Sequence, residues 1–212
     1  MTETTTTTAE LDVQTLTGDY TLDPAHSRLG FVARHAMVTK VRGSFEEYAG
    51  TAHLDFQDPT QSSAAVTIQV KSITTNQAQR DEHLRTSDFF DAPTYAEITF
   101  TSTKAEVVGG DTYRLTGDLR ADARDAVCAN LRLHRLAARA GRARAAGVDF
   151  EFSGAAKDPY GNIRVGFDGS TTIKRSDWGI SWNAALETGG VMVSDKITLE
   201  FDVSAIKTVP AA

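Results

Sequence analysis

Asp23-Pro24-Ala25-His26-Ser27-Arg28-Leu29-Gly30-Phe31-Val32-Ala33-Arg34-His35 is the stretch on which the reading of this chain turns. Asp23-Pro24 punctuates it, because proline fixes φ and withholds a donor. From Arg28 onward the residues alternate. Leu29, Phe31, Ala33 and His35 share one face of a strand, and Arg28, Gly30, Val32 and Arg34 share the other. An apolar face that runs into a histidine is the wall of something enclosed. The histidine itself reads as a hydrogen-bonded core or rim residue.

The same alternation recurs along the chain. Val38 to Arg42 leads to Gly43, where a bend or bulge is expected. Tyr48, Gly50, Ala52, Leu54 and Phe56 mark a second long strand, and Val66, Ile68 and Val70 a third. Ile98, Phe100 and Ser102 alternate, then Tyr113, Leu115, Gly117 and Leu119, with the turn Val108 to Asp111 making them a hairpin. Val148, Phe150 and Phe152 precede the turn Asp158-Pro159-Tyr160-Gly161-Asn162. Val165, Phe167, Gly169, Thr171 and Ile173 follow it, and Ile197, Leu199, Phe201 and Val203 close the set. One short helix is predicted over about Gln77 to Arg85, capped by Asn76 with Gln79 as its capping-box partner. About eight strands with regular turns predict an all-β chain closed into an antiparallel barrel. A barrel of that size encloses its own side chains or one small ligand.

Bulk composition narrows the function classes. The 212 residues carry a formal net charge of −6, which argues against general nucleic-acid binding. The single cysteine, Cys128, allows no internal disulfide. The first 18 residues are a polar, threonine-rich leader that is expected to be disordered, with one domain over 19–208. The start of the sequence lacks the charged and apolar regions of a signal peptide, and no window approaches about 18 consecutive apolar residues. The expectation is a soluble, cytoplasmic protein with no membrane span; a homodimer is left open.

Catalytic signals are weak. Five histidines occur, His26, His35, His53, His83 and His134, without close ligand spacing and without CxxC. Ser27 beside His26 is adjacency rather than a triad. No glycine-rich phosphate loop is present, so no cofactor and no metal are expected. A hydrolase or metal-dependent enzyme using His26, His35 and His83 is the alternative reading. Trp178 and Trp182 could stack a ligand or plug a barrel end. An interior lined by Leu29, Phe31, Ile68, Ile98, Phe100, Phe167 and Phe201 would reward an alkyl chain by about 0.8 kcal/mol per methylene, but composition does not separate that from a side-chain-filled core.

Several ordered motifs bear on this choice. They are Tyr20 to Ser27, Phe31 to His35, Val41 to Phe45, Arg80-Asp81-Glu82-His83-Leu84 with Ser87 to Asp91, Ile98 to Thr103, Leu115 to Leu119, and Arg175-Ser176-Asp177-Trp178-Gly179. In this order they resemble the YceI-like (polyisoprenoid-binding) proteins over most of residues 19 to 207. The resemblance implies a lipocalin-like extended eight-stranded barrel whose apolar tunnel holds a long-chain lipid of the isoprenoid, quinone or fatty-acid type, without catalysis. Phe31, His35, Arg80, Asp81, His83, Phe89 and Phe90 resemble the family's marked positions; all of these but Asp81, with the interior positions Leu29, Ile68, Phe100, Phe167 and Phe201 and the stacking candidate Trp178, make up the expected ligand site. Arg34, Arg80 or His83 would then face a head group.

One stretch departs from the family's pattern. Arg120 to Gly147 is rich in alanine and arginine where the family continues with a strand, a turn and another strand. An insertion is one account, and a pair of compensating frame changes in GC-rich DNA is another. Either puts the local strand pairing in question.

Overall fold

The computed structural model describes residues 13–122, 144–187 and 190–208. A one-turn helix α1 (Val13–Leu16) precedes β1 (Gly18–Leu22), β2 (Arg28–His35), β3 (Thr39–Phe45), β4 (Tyr48–Leu54), β5 (Ser63–Gln69) and β6 (Ile73–Thr74). Helix α2 (Ala78–Arg85) follows, then β7 (Glu97–Gly109), β8 (Thr112–Asp122), β9 (Arg144–Lys157), β10 (Ile163–Lys174) and β11 (Lys196–Lys207).

All pairings are antiparallel. The eight strands β1, β4, β5, β7, β8, β9, β10 and β11 form a ring that β1 closes onto β11 through Tyr20↔Lys207 and Leu22↔Ala205. The remaining three strands lengthen one wall. β11 is long enough to pair with β1 near its end and with β2 near its start, Thr198 standing opposite Val32. β2 then carries β3, and β3 carries β6. The opening stretch Asp23 to His35 is thus where the chain leaves the ring and prolongs it.

That crossing is held by the residues that announced it. Asp23 caps the 3-10 turn Pro24–His26, accepting from the Ala25 amide at 3.1 Å. Its second oxygen meets His26 Nδ1 at 2.7 Å and the Arg164 guanidinium. Ser27 Oγ donates to the Ser204 carbonyl and accepts from the Ser204 amide, fixing the bend against β11. Arg164 also reaches Asp158, which closes the β9–β10 turn by accepting from Asn162 and Tyr160.

These contacts set a pH dependence. The Asn162 side chain first, and then the other donors, hold the Asp158 carboxyl at about 2, below its ordinary 3.8. Asp23 is lowered in the same sense, chiefly by Arg164. A depressed native pKa stabilises the fold fully above the unfolded value and loses that contribution as pH falls through the native one. Thermal melting should therefore fall from about pH 4 to about pH 2, and the gap between the parent and Asp158→Asn should close over the same interval. A gap unchanged across that range would remove Asp158 from the acid response.

Order begins earlier than expected. Leu16 in α1 is buried, and its carbonyl accepts from the Tyr20 hydroxyl at 2.5 Å. Burial pushes the Tyr20 phenol up to about 12. Tyr20, Val165 and Ala205 form a small core with Phe56, Phe152 and Phe167 against it. The ends of the Arg120 to Gly147 stretch are strand, since Leu119 pairs with Arg144 and Gly117 with Ala146. Residues 1–12 and 123–143, on which the rest of the leader and of that stretch fall, lie outside the described residues.

Two local expectations change. The α2 N-cap is Gln77, whose side chain accepts from the Arg80 amide, while Asn76 takes φ +59 just before it. Gln77 reaches that amide because its side chain is long enough to fold back three residues. Gly43 is a regular β3 residue paired with Phe31, neither bend nor bulge. It is needed because the Phe31 ring lies directly over its Cα, where a Cβ would collide.

Candidate functional site

The ring encloses a cavity of about 210 Å³. Its wall follows from strand periodicity. Every second residue of a strand points inward, so β5 contributes Ala64, Val66 and Ile68, β8 contributes Tyr113, Leu115 and Leu119, and β11 contributes Leu199, Phe201, Val203 and Ala205. Interior glycines make room for rings on adjacent strands. Phe100 lies over Gly117, its Cζ 2.6 Å from where a Cβ would stand, and Phe150 lies over Gly169 in the same way.

The charged groups on the wall, and Ser62, are already engaged. Asp55 accepts from the Gln57 and Asp58 amides at 2.8 and 2.9 Å, Ser62 Oγ accepts from the Asp55 amide, and Arg114 forks onto Asp149 at 2.6 and 2.8 Å. Asp149 is accordingly held below the usual carboxylate range by Arg114. The space therefore offers dispersion contacts and little else, which suits an apolar chain.

Five of the twelve residues expected at a ligand line this cavity: Leu29, Ile68, Phe100, Phe167 and Phe201. Phe31 lies one inward step beyond Leu29 on β2. Its ring is 6.0 Å from Phe45, and Phe45 is 6.2 Å from Phe90 in the loop after α2. The three rings thus pack in series beyond the cavity wall. His83, Phe89 and Trp182 form a separate cluster with ring centroids 4.9 to 5.2 Å apart, and His83 Nε2 meets Asp88 at 2.9 Å.

Arg80 is used for bracing. Its guanidinium donates to the Thr75 hydroxyl and carbonyl at 2.6 and 3.0 Å. Beside it Asp81 is buried. Burial opposes its charge, but hydrogen bonds from Thr75 and Thr74 outweigh this and keep the carboxyl lowered. His35 is exposed and bridges to Val193. The Trp178 indole nitrogen is buried without a hydrogen-bond partner among the described residues.

The histidines do not converge. His26 is bound to Asp23, His53 to Asp19 and His83 to Asp88. No group of three His, Cys, Asp or Glu side chains able to hold a metal occurs among the described residues, and His134 lies outside them. Sequence reasoning passed over Val66, Leu115, Val148, Phe150, Leu199 and Val203, which also form the wall. The signal was present, since each stands in phase with an inward neighbour two residues away.

The ring cluster around His83 yields a prediction. His83→Ala removes two edge-on aromatic contacts and the hydrogen bond with Asp88, at a cost of about 1–2 kcal/mol. Melting should drop by a few degrees while uptake of an apolar ligand stays at the parent level. Reduced uptake at unchanged melting would place His83 at the ligand instead.

The profile of the YceI-like domain matches residues 20–205. The chain belongs to the YceI-like family. A UPF0312 protein of Staphylococcus aureus is 33% identical over 186 residues, covering 86% of this chain and 94% of the relative. The crystal structure of a Campylobacter jejuni YCEI protein superposes with a TM-score of 0.65 at 28% identity, covering 99% of this chain and 100% of that one. A polyisoprenoid binding domain from Saccharophagus degradans shares the fold, with a TM-score of 0.56 at 15% identity over 89% of this chain and 98% of that one. The YceI-like match runs from β1 to β11 and so takes in the whole cavity wall.

Proposed function

We propose that this YceI-like protein binds and carries a long-chain isoprenoid, or a related amphiphile such as a quinone or fatty acid, in the barrel cavity without catalysis. The observation that carries the reading is a barrel cavity whose wall is predominantly aliphatic and aromatic and whose charged groups, Asp55 and Arg114, are held by protein partners. A catalytic site would need a polar group aimed at the ligand. The polyisoprenoid-binding name of a protein with the same fold points the same way. Binding strength would come from chain length, at about 0.8 kcal/mol per methylene, or about fourfold in affinity. The protein acts in the cytoplasm, and cell fractionation checks that location.

A chain-length series tests the binding. Prenyl alcohols of increasing length should bind with steadily rising affinity until the cavity is full, then level off. Affinity independent of length, or no uptake at any length, would remove the reading.

A further inference from the structure

We propose that the end of the barrel at the β2–β3 turn is a docking surface for an anionic phospholipid membrane. At this turn the Val38 amide donates to the His35 carbonyl at 3.0 Å, and the two residues between, Ala36 and Met37, both take positive φ, 49° and 61°. Tight hairpin turns of this kind normally use Asn-Gly, because other side chains are strained there. Here the strain holds Met37 and Val38 out in solvent, 56% and 78% exposed. The neighbouring loop joins them: the Ala36 amide donates to the Met192 carbonyl, and Val191 beside it is 41% exposed.

Behind this apolar tip runs a row of cations. Lys174 on β10 stands directly opposite Lys196 on β11, and Arg34 on β2 directly opposite Lys40 on β3. β11 and β2 are themselves paired, Thr198 facing Val32, so the four charges follow one another across four adjacent strands on the outer face. Arg42 is the next outward residue on β3. Like charges directly opposite each other cost stability. None of the five has a carboxylate within ion-pair distance among the described residues. Asp195 is near enough for Lys174 to affect its charge, but its oxygens accept from the Ser176 amide and hydroxyl.

The opposite end provides the contrast. It also exposes apolar side chains, Val107, Val108 and Tyr160. Around Val107 and Val108 the cations are matched, Lys104 by Glu106 and Arg114 by Asp149; by Tyr160, Arg164 is matched by Asp23 and Asp158 while Lys157 stands alone among the described residues. On a chain of net charge −6, the β2–β3 end sets an apolar tip beside a row of five unmatched cations, where the Tyr160 turn has the single Lys157. That combination fits a lipid surface, where apolar side chains enter the acyl boundary and lysine or arginine meets phosphate. Phe31 stands between this turn and Leu29 on the cavity wall, so docking would bring the bilayer to the strand that runs into the cavity. This role in delivery rests on the lipid-binding reading; the docking itself does not.

Sedimentation of the full chain with vesicles tests the surface. Vesicles of equal parts phosphatidylglycerol and phosphatidylcholine should carry the protein down, vesicles of phosphatidylcholine alone should not, and high salt should release it. Each basic residue at such a surface weighs about fivefold, so Arg34→Gln, Lys40→Gln and Lys196→Gln together should weaken binding about a hundredfold. Met37→Asp with Val38→Asp should weaken it at least about tenfold, and Val107→Asp with Val108→Asp should leave it unchanged. All these positions are exposed, so folding is preserved. No binding, equal binding to neutral vesicles, or insensitivity to the basic triple variant would each overturn the proposal. So would a stable dimer in ultracentrifugation that Met37→Asp dissolves, because the tip would then be an interface between copies. Lipid uptake is scored separately on soluble protein, so an empty cavity with intact docking removes the carrier reading alone.

Discussion

Val66→Trp should cut ligand affinity by about two hundredfold while leaving the barrel folded. Val66 sits midway along β5, opposite Gly50 on β4 and Phe100 on β7. All three line the cavity, and where Gly50 lacks a Cβ the Val66 Cγ2 and Leu22 Cδ2 methyls lie 3.1 and 3.4 Å away, so a larger side chain at Val66 turns into the cavity rather than into β4. An indole there occupies volume that the protein leaves empty and the ligand would use. If it displaces about four methylenes, the loss is about 3 kcal/mol, or about two hundredfold in affinity. Filling the cavity adds dispersion contacts that offset the crowding against Leu22, so melting should stay within a few degrees of the parent. Uptake by equilibrium binding and melting by calorimetry check the two halves. Uptake at the parent level in a folded Val66→Trp protein would place the ligand elsewhere.

Gly117→Val should be the most damaging single change to the fold. Gly117 is buried on β8 opposite Ser102, its inward direction filled by the Phe100 ring. A Cβ would meet Phe100 Cζ at 2.6 Å and also press on the Thr101 carbonyl, which cannot rotate away as a ring tip can. Overpacking of this kind costs about 3 kcal/mol, about 10 °C of melting for a domain of this size. Phe100→Leu in the same chain should restore part of the loss, because it removes the ring but not the backbone contact. A fully additive double variant would mean that the ring is not what Gly117 accommodates.

What was legible in the sequence divides along physical lines. Strand positions and the inward phase of each strand follow from a period of two and from turn residues, so the walls carrying Leu29, Ile68, Phe100, Phe167 and Phe201 could be read directly. The contribution of β8 and β9 was less visible, because the unusual composition from Arg120 to Gly147 obscured strands that nonetheless pair through Leu119 and Arg144. Phe31 shows a different limit. Its inward phase is correct, yet it packs over Gly43 and against Phe45 at the end of the barrel, and only the register of β2 on β3 brings those residues together. Arg80 and His83 show a third. Charged residues on a short polar helix suggest a head-group site, but their partners, Thr75 and Asp88, come from turns whose geometry local spacing does not specify. The row Lys174, Lys196, Arg34 and Lys40 was hidden for the same reason, since its members are far apart in sequence and meet only through sheet pairing.

Native mass spectrometry of the protein purified from its own cells tests the central claim most directly. The account predicts a single bound lipid, released on activation and identified by organic extraction, present in the parent and depleted in Val66→Trp. A parent protein that flies empty, and stays empty after incubation with prenyl lipids and quinones, would contradict it.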